Sequence, residues 1–455
     1  MGVDRARRTR CVRSSIRAAV AHAAGGVNTR FEKGIVRLHP KGHSGALSLS
    51  LEEQFLYPLL FRAGWWLFFA GSVFLGWNSL GILVLLLHTL LDRRALTGLW
   101  RSAQQAVGPV VLSLGRWRMP LNYILVGLGL TGLASSALAV EPARAAAATA
   151  GMLLSIVFGL VYALLLEQVQ PGWYRAYLWP AVVAGAGHIA WVFWEASQLE
   201  SLWYRVETIG GPNGTGTLML LAVVLALPWF AACRDGRRWL SIPYTVAAVV
   251  AMLLTQSRGA WLALAAFGVF LLLPFWRDPV SRRYAVVVVL CTALVLALAF
   301  AFIPGASYRL QRFLDFSDEG RVSVYEIAWD MFLDNFWFGV GPANFGNHWE
   351  EYNRGRSAED VGFPHNTWLQ VLTETGVVGG ALFAAIVFRV LLSVWRLRDT
   401  DDWVVWILAS GIVAILVRDQ VDTAIFSINV GFVFWWLAGT VLAFQQRAGR
   451  GRAGA

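Results

Sequence analysis

Long apolar runs separated by short polar segments dominate the chain. Residues 55–91 are almost continuously apolar, and further runs fall near 120–140, 146–167, 175–195, 214–232, 240–256, 260–276, 284–303, 367–395, 403–418 and 424–444. Most have the roughly 17–25 residues that carry a helix across a hydrocarbon core about 30 Å thick. The first run is too long for one crossing, and two short spans turning near Gly76, Trp77 and Asn78 account for it. The pattern therefore predicts an all-α, polytopic membrane protein of about twelve transmembrane helices.

Alternate polar segments carry the positive charge: CRDGRR (233–238), RDPVSRR (277–283), WRLRD (395–399) and QQRAGRGR (445–452). Lys and Arg accumulate on the cytoplasmic side of a membrane protein, so both termini are expected in the cytoplasm. Residues 1–54 are polar and rich in Arg, without the apolar core of a secretory signal, and read as a disordered basic tail. The expected organisation is that tail, an N-terminal bundle of about nine spans over 55–303, a large external loop over 304–366, spans over 367–445, and a short cytoplasmic tail over 446–455.

Composition narrows the class further. The chain is 57% hydrophobic and only 15% charged, which a soluble protein of 455 residues does not need. The net charge of +10 follows from topology, since no basic helix interleaved with aromatics and no nucleic-acid motif accompanies it. Cys11, Cys233 and Cys291 stand in no metal-ligand or disulfide spacing. Trp65, Trp66, Trp173, Trp179, Trp395 and Trp403 fall near span ends, where an amphipathic ring anchors at the interface.

The external loop is too rich in aromatics for a linker. Val324, Ile327, Ala328, Met331 and Phe332 have the spacing of an amphipathic helix lying on the membrane, ended by the glycines of GVGPANFG. The loop then runs into GFPHNTWLQVLTETGVVGG (362–380), where a polar segment meets a long apolar helix. Pro364 suits a position just before the first turn. Asn366 suits a helix cap, or orients the ring or an acceptor. Glu374 lies about two and a half turns beyond His365, where it either supports the imidazole or an Arg, or pairs inside the span. Gly376, Gly379 and Gly380 leave one face bare for a neighbouring helix.

His365 is a structural hydrogen-bonder or a general base; an imidazole ordinarily titrates near pH 6.5 and is available in its neutral form. Arg258, in TQSRGAWLALA, sits in a turn of a few residues between two spans, either snorkelling to the interface or gripping an anion. Arg321 opens GRVSVYEIAWDMF, pairing with a neighbouring acid or meeting the same anion. Arg418 and Asp422 are spaced as an ion pair across one helical turn, with Asp419 between them. GGPNGTG (210–216) is a turn, or lines a route for an acceptor.

The spacing His-Asn, nine residues, Gly, two residues, Gly, following SRG and RV…GVG in that order, resembles the O-antigen ligase and O-antigen polymerase family. That resemblance implies a membrane glycosyltransferase that moves a glycan from undecaprenyl diphosphate to an acceptor hydroxyl on the periplasmic face of the inner membrane. It implies inversion at the anomeric carbon, with no cofactor and no metal, His365 as base, and Arg258 and Arg321 on the diphosphate. Asn366, Glu374, Gly376 and Gly379 support them. Acceptors in the family are lipid A core, a growing glycan or a protein hydroxyl. A single large external loop favours lipid A core, then polymerisation, then protein glycosylation. A multi-span transporter is the rival class; it needs polar groups at the bilayer midplane, where His88, Glu167, His188 and Glu195 are the candidates.

Overall fold

A computed structural model describes residues 51–71, 81–85, 87–88, 111–114, 117–169, 177–201, 203–233, 235–274, 297, 301–305, 307–308, 311, 319–357, 361–400 and 402–453. The chain divides into two compact units, Met1–Leu51 and Glu52–Ala455, and the described residues belong to the second, Leu51 apart.

The helices are α1 (Leu51–Gly71), α2 (Leu121–Leu138), α3 (Pro142–Val169), α4 (Trp179–Gln198), α5 (Gly211–Ala232), α6 (Ser241–Leu254), α7 (Arg258–Leu272), α8 (Glu319–Asp334), α9 (Trp349–Asn353), α10 (Thr367–Arg396), α11 (Trp403–Arg418) and α12 (Ile428–Ala453). Every apolar run expected from 120 to 276 and from 367 to 444 is thus a helix. The run 284–303 and the turn expected at 76–78 lie almost wholly outside the described residues, as does the basic tail. Among the described residues, four helices are long and apolar enough to cross a bilayer: Leu121–Leu138, Pro142–Leu160, Gly211–Ala232 and Thr367–Arg396. Leu59–Gly71, Arg258–Leu272 and Trp403–Arg418 are apolar but shorter.

The all-α class holds, with one short ladder beside the helices. Val111–Leu114 (β1) and Trp117–Pro120 (β2) form an antiparallel ladder with Leu112 opposite Met119 and Ser113 opposite Arg118. Four-residue strands are too short to register against the surrounding apolar period.

The core centres on α5, in which Thr215 to Ala226 is buried on every side, as befits a helix apolar all round. Helices α4, α6, α7 and α11 pack around it. Close crossings use glycine. A Cβ on Gly159 would lie 2.5 Å from Trp435, and one on Gly439 would lie 2.7 Å from the Leu160 carbonyl oxygen, which brings α3 and α12 into near backbone contact.

The loop between 319 and 364 has a small core of its own. Val324, Ile327, Ala328 and Met331 of α8 are buried with Val340, Phe345, Trp349, Tyr352 and Val361. The apolar face expected to lie on the membrane is therefore spent inside the protein, against this loop and α10. Helix α8 also ends at Asp334, before the glycines rather than at them.

Those glycines do something else. Helix α10 is not one straight run: Gly376, at φ 66° and ψ −171°, breaks it. Across the break the loop backbone pairs with helix backbone. The Val340 and Gly341 amides donate to the Thr373 and Glu374 carbonyls at 2.9 and 3.0 Å, and the Val377 amide donates to the Phe336 carbonyl at 2.8 Å. Gly376 is thus a backbone break that accepts a docked loop, a correction to its expected part in a bare helix face. The segment Val377–Arg396 alone is about 30 Å long, a length that matches the thickness of a hydrocarbon core.

Candidate active site

The His365 segment is held by its backbone before its side chain acts. His365 has φ 49°, a left-handed conformation that costs a non-glycine residue on the order of 1 kcal/mol and persists only where the surroundings enforce it. The enforcement is visible. Asn366 caps α10, its Oδ1 accepting from the Trp368 and Leu369 amides at 2.9 and 3.1 Å, while its Nδ2 donates to the Gln420 carbonyl at 2.9 Å. The Thr367 amide donates to the Asp419 carbonyl at 3.0 Å, and its hydroxyl to Asp419 Oδ2 at 2.8 Å. From the other side, the Tyr325 hydroxyl donates to the His365 carbonyl at 3.4 Å. Of the two expectations for Asn366, the cap is the one realised.

Asp422 faces the imidazole. His365 Nδ1 lies 3.5 Å from Asp422 Oδ1, and Arg418 Nη2 donates to Asp422 Oδ2 at 3.0 Å. The i to i+4 ion pair read from the sequence is real, and its carboxylate has a second task. Burial opposes ionisation of Asp422, yet hydrogen bonding from His365 and the charge of Arg418 together hold it well below the usual carboxylate range. Asp419 behaves oppositely. Burial pushes it up to about 6, against the pull of Arg418, the Thr367 hydroxyl and the Ala424 and Ile425 amides. With Nδ1 turned to a carboxylate, Nε2 is the ring atom left to receive a proton. The Phe363 ring meets the imidazole edge-on at 4.5 Å.

Arg258 opens α7 directly after its N-cap residue Ser257, and both flanking residues touch this cluster. A Cβ on Gly259 would lie 3.7 Å from Arg418, so the α7 terminus packs on the arginine that pairs with Asp422. The Ser257 hydroxyl donates to Asn213 Oδ1 at 3.1 Å, and Arg418 Nη2 also donates to the Asn213 carbonyl at 3.2 Å. Arg321 lies in the first turns of α8, one turn before Tyr325. The segments bearing Arg258, Arg321 and His365 therefore converge, at half-exposed positions, on one cluster.

Glu374 and the glycines belong elsewhere. Glu374 is buried about 10 Å further along α10. It accepts from Gln370 Nε2 at 3.2 Å, and its carbonyl accepts from the Ser135 hydroxyl at 2.6 Å. It is a buried pairing residue of the loop seam, and the imidazole's carboxylate partner is Asp422. A Cβ on Gly379 would press on Thr375, one turn back in the same helix, and would meet Thr131 of α2 at an ordinary contact distance of 3.5 Å.

The residues missed from the sequence are Tyr325, Asn213 and the second role of Asp422. Only GGPNGTG gave a signal, and the two residues that tie Asn213 to this cluster, Ser257 and Arg418, are more than 40 residues distant. Three of the candidates for a midplane route are locally engaged. His188 Nε2 meets the Thr208 hydroxyl at 2.7 Å, and Glu195 accepts from Trp191 Nε1 at 3.0 Å. His88 packs on Phe61, and the side chain of Glu167 lies outside the described residues. Among the described residues no three His, Cys, Asp or Glu side chains come together as a cation site.

Residues 243–384 match the family model described as O-antigen ligase. No curated protein matches the chain. The matched stretch contains Arg258, Arg321 and His365 and stops before Arg418 and Asp422.

Proposed function

We propose, from the match of residues 243–384 to the O-antigen ligase family model, that this chain transfers a glycan from undecaprenyl diphosphate to a hydroxyl of a lipid-linked acceptor, lipid A core first among them. The observation that carries the reading is the contact of Asp422 with His365 Nδ1, at the point where the Arg258 and Arg321 segments meet.

The chemistry follows from that arrangement. Asp422 holds the Nδ1–H tautomer and leaves Nε2 to accept the acceptor's hydroxyl proton. The freed oxygen pair attacks the anomeric carbon from the side opposite the diphosphate, and the bond from that carbon to the phosphate oxygen breaks with its electrons on the leaving group. Inversion results. Arg258 and Arg321 face the charge that grows on the departing diphosphate, which planar guanidinium groups bind in bidentate fashion. The proton on His365 is then shed to solvent at the membrane surface.

Direction of the helices supports a periplasmic placement. α5, α7 and α10 all start at the cluster and run away from it, and the basic segments 233–238 and 395–399 follow the far ends of α5 and α10. Positive charge marks the cytoplasmic end, so the cluster belongs at the other surface of the inner membrane, with the termini inside.

The test is transfer by the purified chain in lipid nanodiscs, using glycan-loaded undecaprenyl diphosphate and a lipid A core acceptor. Wild type should form the glycosylated lipid and His365→Gln should not, at equal protein recovery. Equal product from both would remove His365 from the chemistry; extension of the donor's own glycan would move the acceptor assignment to polymerisation.

A further inference from the structure

The turn Thr255-Gln256-Ser257 that delivers Arg258 has an awkward backbone, with Gln256 at φ 51°. Such a turn needs clamps, and they come from one stretch of chain, residues 203–213. Gln256 Nε2 donates to the Trp203 and Tyr204 carbonyls at 3.3 and 3.1 Å. Arg205 Nε donates to the Thr255 carbonyl at 3.1 Å. Asn213, in the first turn of α5, joins the two sides: its Oδ1 accepts from Arg205 Nη2 at 2.9 Å and from the Ser257 hydroxyl at 3.1 Å. Its main-chain carbonyl meanwhile accepts from Arg418 Nη2, the group that also grips Asp422.

One residue thus touches both halves of the site through different atoms. Its side chain fixes the residue beside Arg258, and its backbone fixes the arginine behind the Asp422–His365 pair. We propose that Asn213 is a positioning residue for the donor site: its amide oxygen sets where the Arg258 guanidinium stands, so the side chain governs diphosphate binding more than the proton-transfer step. This rests on the glycosyltransferase reading above. Because the link to Arg418 runs through the carbonyl, side-chain replacement leaves it in place.

The side chain acts as a double acceptor, so Asn213→Asp keeps both hydrogen bonds and Asn213→Ala loses both. Losing two hydrogen bonds, with partial recovery by water, corresponds to roughly tenfold weaker binding. The experiment uses the full chain in nanodiscs. Binding of undecaprenyl diphosphate is read by native mass spectrometry, and donor KM, kcat and the pH profile of kcat are read by transfer.

Asn213→Ala should raise donor KM and weaken undecaprenyl diphosphate binding about tenfold, with kcat and its pH profile close to wild type; Asn213→Asp should stay within about threefold on both. Arg205→Ala combined with Asn213→Ala should be no worse than either alone, because the two act through one contact. The proposal is overturned if Asn213→Ala leaves KM and binding unchanged. It is equally overturned if kcat falls in step with the recovered folded fraction while KM holds, which is what a merely structural residue would give. If wild type itself neither binds undecaprenyl diphosphate nor transfers, the glycosyltransferase reading fails first, and that result is distinct from both.

Discussion

Replacing Gly376 by Ala tests whether the docked loop is what assembles the site. Gly376 occupies φ 66°, ψ −171°, a region that only glycine enters readily, and an alanine there carries about 1–3 kcal/mol of strain. Its Cβ would stand 2.3 Å from the carbonyl carbon and oxygen of Trp337, which are backbone atoms with no rotamer to give way. The loop must then withdraw, and the three hydrogen bonds from Val340, Gly341 and Val377 go with it, at about 1 kcal/mol net each. Together these reach on the order of 5 kcal/mol against docking, enough to free the loop and to let α10 run through as a continuous helix. Since α8 brings Tyr325 to the His365 carbonyl, undocking should also loosen α8, which carries Arg321, from the His365 segment. The assay is trypsin cleavage after the exposed Arg354 in spheroplasts, alongside transfer in nanodiscs. Gly376→Ala should be cut faster and lose transfer while remaining inserted. Gly339→Ala, whose Cβ would meet the Thr373 carbonyl oxygen at 2.5 Å from the opposite side of the seam, should reproduce it. Gly268→Ala, in α7 with open space around it, should be silent. A Gly376→Ala protein with wild-type transfer and protease resistance would refute the docking account.

Other substitutions separate the proposed roles. His365→Gln should lower kcat by about 10²–10⁴, the usual contribution of a general base, with donor binding intact by native mass spectrometry. Asp422→Asn leaves the buried Arg418, among the described residues, with Asp419 at 3.8 Å as its remaining carboxylate, and should destabilise the protein by about 3 kcal/mol, read as thermal unfolding in detergent. Because the folded-state pKa of Asp422 is depressed, its stabilisation is complete above the unfolded carboxylate value of about 3.9 and is lost as pH falls through the lower folded value. The unfolding gap between wild type and Asp422→Asn should therefore be full at pH 7 and narrow below about pH 4; a gap independent of pH would show that the carboxylate is not ionised in the folded protein. Arg258→Lys should raise donor KM, because an ammonium lacks the bidentate fork, and an unchanged KM would remove Arg258 from the diphosphate. Transfer should survive EDTA, and reversible inhibition by the chelator would call for a divalent ion in place of the arginines.

Much of the molecule was legible in the apolar period alone. Nearly every described helix from α2 to α12 coincides with a run of the length that a bilayer or a buried core demands, and the α8 pattern of Val324, Ile327, Ala328 and Met331 named its buried face correctly. Local chemistry was legible too: Asn366 in front of an apolar run is a cap, and Arg418 with Asp422 is a pair one turn apart. Those features depend on neighbours within about four residues, which is the range over which sequence spacing fixes geometry. What covers the α8 face, why Gly376 must be glycine, and which carboxylate meets His365 depend on contacts between residues far apart in the chain. Gly376 answers to Trp337, His365 to Asp422, and Ser257 to Asn213. Hydrophobic period sets which face of a helix is buried but not which partner buries it, so those decisions were made only when the helices packed.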